Sequence, residues 1–599
     1  GLTHRHHHRL VKVIDEAGAR DLSALRFDYD PASNLIEVRR VRVHRADGRY
    51  EDLDPAGAVA AYAPAHSLYG GARMEVMGLP RLRPGDLVET VTYKKGFLIA
   101  YLLAFERAED GDEDERYIPP MRGHFYDSVL FGESRPFRIK HYAVELPRDT
   151  PLQCAVYNEE VFAAQAFTDS SLTYRWWAQD RDAVAVEPRQ AGRSDFVAKV
   201  VMATVPDWPA KSRWFFEVND PVFAWNEPIQ AKVDELIRGL GSDEERFAAL
   251  THWVADNIRY SGLSMGEGEG YTIHPSRMTW EDRCGVCKDI AGMLVTFLRA
   301  AGYTSYPAMT MAGARVERVP ADQFNHCVVA VEQEDGSYVM LDPTWVAHSR
   351  DLWSKAEGEQ HYVIGTPEGE ELCAIRSFTA EESLLEIRLD TRVAESGDLS
   401  GAVSLEARGY LDGRLRGQFL FRPAAEWDAR LAALLAPIGP GLRITKSRYG
   451  DVGDYAEPMR CEAEFRVPGY AAVTDSTIDL GLPALRLLAG SGAFVRLLGV
   501  EADEDRRHPA NFWAPSQVSI EAKIELPERY VFAKMPPGCD LAFAAAEFEC
   551  DGKISGRRLE WTSRLALTKR TVLPAEWAGV AAVADTVDAL AGRRWSGKR

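Results

Sequence analysis

Between residues 290 and 298, apolar side chains recur at i, i+3, i+4, i+7 and i+8: Ile290, Met293, Leu294, Phe297 and Leu298. That spacing predicts a helix with one buried face. Gly302 follows Ala300 and Ala301 and predicts the helix end, because glycine accepts a left-handed cap without a Cβ penalty. Arg-Cys-Gly-Val-Cys-Lys-Asp (283–289) runs straight into this helix, so Cys287 falls at its N-terminus with Asp289 in the first turn and Lys288 exposed. Unpaired N–H groups and the macrodipole at that end favour a thiolate. Farther along, 324–331 reads as a buried, β-branched strand, 334–337 as a turn and 338–342 as the returning strand. Pro343 ends the ladder. The hairpin predicted here brings His326 and Asp342 towards one end of the strand pair.

The flanking regions have a different texture. Alternating or nearly alternating runs at 11–14, 36–43, 87–93, 137–146 and 196–202, separated by turn signals such as 46–48 and 83–86, predict short strands. They imply one long or two packed β-sandwich units over 1–215. The aromatics Trp208, Trp214, Phe215, Phe216, Phe223 and Trp225 suggest a linker packed between domains. Two helices follow, one from Pro228 to about Gly239. The other opens on the capping box Ser242-Asp243-Glu244-Glu245 and turns Phe247, Leu250, Val254 and Ile258 inward. Beyond 375 the chain returns to strands, at 385–389, 401–407 and 518–527, with short helices near 424–436 and 575–592. The similar strand ends at 144–147 and 524–527 hint at related β domains on both sides of the centre. The expected division is 1–215, 216–375 and 376–599.

A cysteine at a helix start, a histidine on a strand and an aspartate on the next form a nucleophile, base and orienter. Cys287, His326 and Asp342 are therefore the candidate catalytic residues, with the Cys287 backbone N–H as oxyanion donor. In Gly-Val-Cys-Lys-Asp, Leu-Arg-Ala-Ala-Gly, Asn-His and Leu-Asp-Pro-Thr-Trp, taken in this order, the chain resembles the transglutaminase-like (papain-like) cysteine superfamily over about 228–370. The resemblance implies an α+β fold, a papain/transglutaminase-like core flanked by β-sandwich domains, with these three positions as the triad. Asp47-Gly48 and the 82–86 stretch are similar to the N-terminal domain of unknown function that precedes such cores in bacterial extracytoplasmic proteins. The region after 375 resembles the β domain that often follows them. The implied localisation is the periplasm or cell surface, with a signal region expected ahead of Gly1.

Composition narrows the partners. A net charge of −19 argues against nucleic acid or an anionic membrane, which need basic patches. No run approaches the roughly 18 apolar residues of a membrane helix. Eight cysteines in 599 residues do not make a disulfide framework. Cys284 and Cys287 form a CxxC with three readings. A zinc site would recruit His326 and Cys327, but adjacent strand residues face opposite ways. A redox pair would leave His326 and Asp342 without a role, and Cys284 is otherwise incidental or masks Cys287 reversibly. His4, His6, His7 and His8 lack a clear third ligand on one face, and the acidic run 109–115 lacks the glutamate of a calcium loop. No metal and no cofactor are expected. The glycine-rich stretch 265–271 is no phosphate loop; with Tyr271 and His274 it is a candidate lid, and Trp280 a candidate cleft residue. The expected activity is amide or peptide hydrolysis through a thioacyl-enzyme, on a protein, peptide or peptide-like polymer. The alternatives are protein-glutamine transglutamination, and a binding or scaffold protein with a vestigial core.

Overall fold

The computed structural model describes residues 3–29, 34–62, 73–96, 124–261, 271–489 and 506–599. The acidic run 109–115 and the glycine stretch 265–270 lie outside them. The fold is mixed α+β, and its centre is the helix Cys287–Ala300. It packs on an antiparallel sheet in the order Tyr338–Leu341, His326–Glu332, Ser305–Thr310, His361–Ile364, Cys373–Ala374. The helix is enclosed on its other sides by Glu227–Ile237, Asp243–Asn257 and Ser276–Asp282. Every residue from Lys288 to Leu298 is consequently buried, including Lys288, which the sequence placed in solvent. One apolar stripe predicts one covered face; here neighbouring elements cover all of them.

The local signals work as expected at both helix ends. Ser242 Oγ accepts the Glu245 N–H at 3.2 Å and the Glu245 carboxylate accepts the Ser242 N–H at 3.1 Å, closing the capping box. Gly302, at φ +93°, ends the cysteine helix, and the Tyr303 N–H reaches back to the Leu298 carbonyl at 2.9 Å. The aromatic stretch is a helix, Trp208–Asn219, and not a linker. Asp207 caps it by accepting the Ala210 N–H at 2.7 Å, with Pro209 in the first turn. Aromatic residues have middling helix propensity, so the cap and the burial of Trp208 and Phe215 decide the outcome. The expected boundary at 215 falls inside this helix.

Ahead of the core, the described residues form four small sheets. His4–Lys12, Leu87–Gly96, Asn34–His44 and Tyr50–Leu53 form one in that order. The strand Lys199–Ala203 is buried on both faces. Val200 and Met202 pack with Phe131, Val144 and Trp176, while Val201 and Ala203 pack against Val319 and Ala321 of the core. One strand thus belongs to two hydrophobic clusters and fastens the N-terminal region to the centre.

After the core comes an eight-stranded sheet, antiparallel except where Leu384–Val393 meets Ser516–Glu525. In Arg460–Val467 every second residue is buried. The inner face packs on a four-stranded sheet and on the helices Pro483–Leu488 and Pro574–Ala591. The outer face forms a groove of about 750 Å³ whose charges are paired across strands, Arg388 with Glu521 and Lys446 with Glu464. No helix among the described residues is long and apolar enough to cross a membrane.

Candidate active site

Cys287 is the first residue of its helix and is half-buried. Two short parallel strands hold it there. Arg259–Tyr260 pairs with Cys284–Gly285, and the Ser261 N–H continues to the Gly285 carbonyl at 2.9 Å. Asp289 completes the turn. One oxygen accepts the Val286 N–H at 3.0 Å; the other accepts the His274 N–H at 3.1 Å and pairs with His274 Nδ1 at 2.9 Å. Burial pushes the Asp289 carboxyl up, but the His274 bond, the His274 and Lys288 charges and the Val286 N–H together outweigh it and hold the group below the ordinary aspartate range. Gly285 is required by this packing, since a Cβ there would lie 2.5 Å from the Asp289 Cβ.

The hairpin brings His326 to the thiol. The imidazole Nε2 lies 3.3 Å from Asp342 Oδ2, and the Cys287 side chain is near enough to the ring to favour its charged form. With Nε2 committed to Asp342, Nδ1 is the nitrogen left for sulfur. Burial pushes the imidazole down, but Asp342 and Cys287 outweigh it and hold it up at about 11. Asp342 is wholly buried, and its Oδ1 accepts the N–H groups of Thr344 at 2.9 Å and Trp345 at 3.2 Å. The three expected residues therefore converge.

Several neighbours escaped the sequence reading. Tyr260 places its hydroxyl against the backbone of Cys287. Trp345 covers the His326 ring, with centroids 5.3 Å apart, and Trp513, from the C-terminal region, meets Trp345 edge-on at 6.3 Å. Trp513 sits at φ +65°, a conformation that bulky residues rarely adopt; the Asn511 side chain holds it by accepting its N–H at 2.9 Å. Glu357 is fully buried with Oε1 3.8 Å from His326 Nε2. None of these carried a local motif. The only signal was a tryptophan directly after Asp-Pro-Thr.

Other expected site residues serve packing. Tyr271 packs, partly buried, on the core and donates its hydroxyl to the Phe324 carbonyl at 3.1 Å, and His274 is buried on Asp289. Trp280 stacks on Trp253 at 5.6 Å beneath the Arg283 guanidinium. Cys284 is buried, and burial pushes the Cys327 thiol well up, which leaves it a poor nucleophile. His4 bonds to the Tyr93 hydroxyl and His8 to Glu89, so this histidine run is tied up within its sheet.

Residues 230–343 match the model of the transglutaminase-like superfamily and form a domain of that family. Residues 1–185 match DUF3857, a domain of unknown function with a solved structure. No curated protein matches the chain. A crystal structure of a candidate protease from Parabacteroides distasonis ATCC 8503 superposes with a TM-score of 0.66 at 13% identity, covering 100% of this chain and 96% of its own. At that identity the likeness is one of fold. A candidate cysteine protease from Cytophaga hutchinsonii covers 37% of this chain and 80% of its own at 11% identity, with a TM-score of 0.19 that carries no argument.

Proposed function

We propose that the protein is a cysteine-dependent amide or peptide hydrolase acting through Cys287, His326 and Asp342. The observation that carries this reading is a half-buried cysteine at a helix N-terminus, beside a buried imidazole whose Nε2 rests on an aspartate. The protease description of the Parabacteroides distasonis structure agrees with the reading.

In the proposed reaction, Cys287 Sγ attacks the carbonyl carbon and a C–S bond forms as the carbonyl π pair moves to oxygen. The Cys287 N–H at the helix start is the proposed donor to that oxygen, with Tyr260 beside it. The imidazolium passes its proton to the leaving amine as the C–N bond breaks, leaving a thioacyl-enzyme. Water then attacks the acyl carbon, giving its proton to His326, and the C–S bond breaks to release the acid. An amine in place of water gives transamidation from the same intermediate. Hydrolysis is favoured because water is the default acceptor and no amine subsite is formed by the described residues. A peptide or peptide-like polymer outside the cytoplasm is the proposed substrate class, on the resemblance of the N-terminal domain.

The test is the alkylation rate of Cys287 by iodoacetamide against pH, in the full chain and in His326→Ala. Fast labelling that persists below neutral pH and disappears in the variant is expected. Slow labelling that follows an ordinary thiol titration near about 8.5, equal in both proteins, would transfer the case to the scaffold reading.

A further inference from the structure

The short turn Lys355–Glu357 carries a glutamate into the least hydrated part of the site. Glu357 is fully buried, and among the described residues no N–H or hydroxyl group donates to either of its carboxyl oxygens. One of those oxygens lies within 4.8 Å of an Asp342 carboxylate oxygen and of a His326 ring nitrogen. Two carboxylates so close, away from water, are not both ionised, so one of them holds a proton.

The donors decide which one. Asp342 receives the N–H groups of Thr344 and Trp345 on one oxygen and faces His326 Nε2 with the other. Such a set stabilises a carboxylate. Glu357 has no comparable donor. The cation behind it, Arg570, gives its Nε–H to the Ala356 carbonyl at 2.9 Å. Its terminal nitrogens reach the Gln360 amide oxygen, turned towards them, at 2.8 and 3.0 Å. Arg570 thus fixes the turn without bonding to the glutamate. An unsolvated carboxylate without donors is costly, whereas a carboxylic acid with one acceptor beside it is satisfied.

We propose that Glu357 is a positioning residue held as a neutral carboxylic acid, whose O–H donates to Asp342 and fixes that carboxylate against His326. Burial and the Asp342 charge both push the Glu357 carboxyl well up, which agrees with this assignment. The groups facing it are His326 and Asp342 from the hairpin side and Arg570 from the C-terminal region. The inference extends the proposed cysteine chemistry, but the protonation of Glu357 stands or falls without it.

The experiment compares the full chain with Glu357→Gln and Glu357→Ala. In infrared difference spectra at about pH 8, where exposed carboxyl groups are ionised, wild type minus Glu357→Gln should show the carbonyl stretch of a protonated acid. Its replacement by a carboxylate band overturns the proposal, whether or not the protein is an enzyme. Kinetically, Glu357→Ala should slow Cys287 alkylation at about pH 6 by about tenfold, the usual lower range for losing a partner that orients an active group. Glu357→Gln, whose amide N–H can replace the donated O–H, should recover most of that loss. If glutamine is as damaging as alanine while both variants keep wild-type thermal unfolding, Glu357 acts through its charge and the proposal fails. If alanine unfolds, the infrared spectrum and the glutamine variant still decide.

Discussion

At His326 two opposing effects meet in one ring. Burial disfavours the imidazolium, while Asp342 and Cys287 favour it strongly enough to hold the group at about 11. In the unfolded chain the same ring titrates near about 6.5. A raised folded-state value adds stability that is complete below the unfolded value and is lost as pH rises through the folded one. The stability gap between wild type and His326→Gln should therefore be widest near about pH 6 and narrow towards about pH 11, as read by urea unfolding at stepped pH. A gap that widened with pH would mean that the ring is neutral in the folded protein. For the chemistry, the same charge keeps the proton on imidazole beside sulfur, ready for the leaving group.

At the scale of elements, the site depends on how one helix begins. The turn before Cys287 is closed by Asp289 rather than by a residue at the cap itself, and Asp289 fits only because Gly285 has no side chain. Gly285→Ala should force the carboxylate off the Val286 N–H. The expected cost is about 1–3 kcal/mol, typical of overpacking in a filled interior, read as a lower melting temperature. Because the same shift moves the start of the helix, Cys287 alkylation should slow in parallel. Loss of stability with unchanged labelling would show that the cysteine is set by the Arg259–Tyr260 strand instead. Much of this element was legible beforehand: apolar spacing, glycine stop and hairpin turn are local. The burial of Lys288 was not, because the elements covering it come from separate stretches of chain.

Across the whole molecule, all three regions meet beside the cleft. Ala191 of the N-terminal region donates its N–H to the Pro509 carbonyl at 2.8 Å, and Asn511 returns the bond to Arg189 at 2.7 Å. Glu187 accepts the N–H groups of Arg507 at 2.9 Å and His508 at 3.2 Å, and pairs with Arg506 at 3.6 Å. Removing it in Glu187→Ala should cost about 2 kcal/mol, within the range for hydrogen bonds to a charged group, seen as a shift in urea midpoint. This strap also supports Trp513. Trp513→Gly should relieve roughly 1 kcal/mol of left-handed backbone cost while removing an aromatic wall. Thermal stability should hold or rise, while Cys287 reacts faster with a bulky maleimide relative to iodoacetamide. An unchanged ratio would place Trp513 outside the approach to the thiol.

The sequence by itself determined the cysteine helix, its glycine stop, the hairpin that carries His326 and Asp342, and the strand-rich flanks. Those features are written in neighbouring residues, as periodicity, caps and turn chemistry. Tertiary structure alone decided that Lys288 and His274 are enclosed. It also decided that Tyr260 lies beside the nucleophile, that Glu357 stands behind the aspartate and that Trp513 crosses from another region to meet Trp345. These depend on which surfaces come together. Burial, unpaired carboxyl groups and aromatic contacts arise only when separate segments of the chain exclude water from the same place.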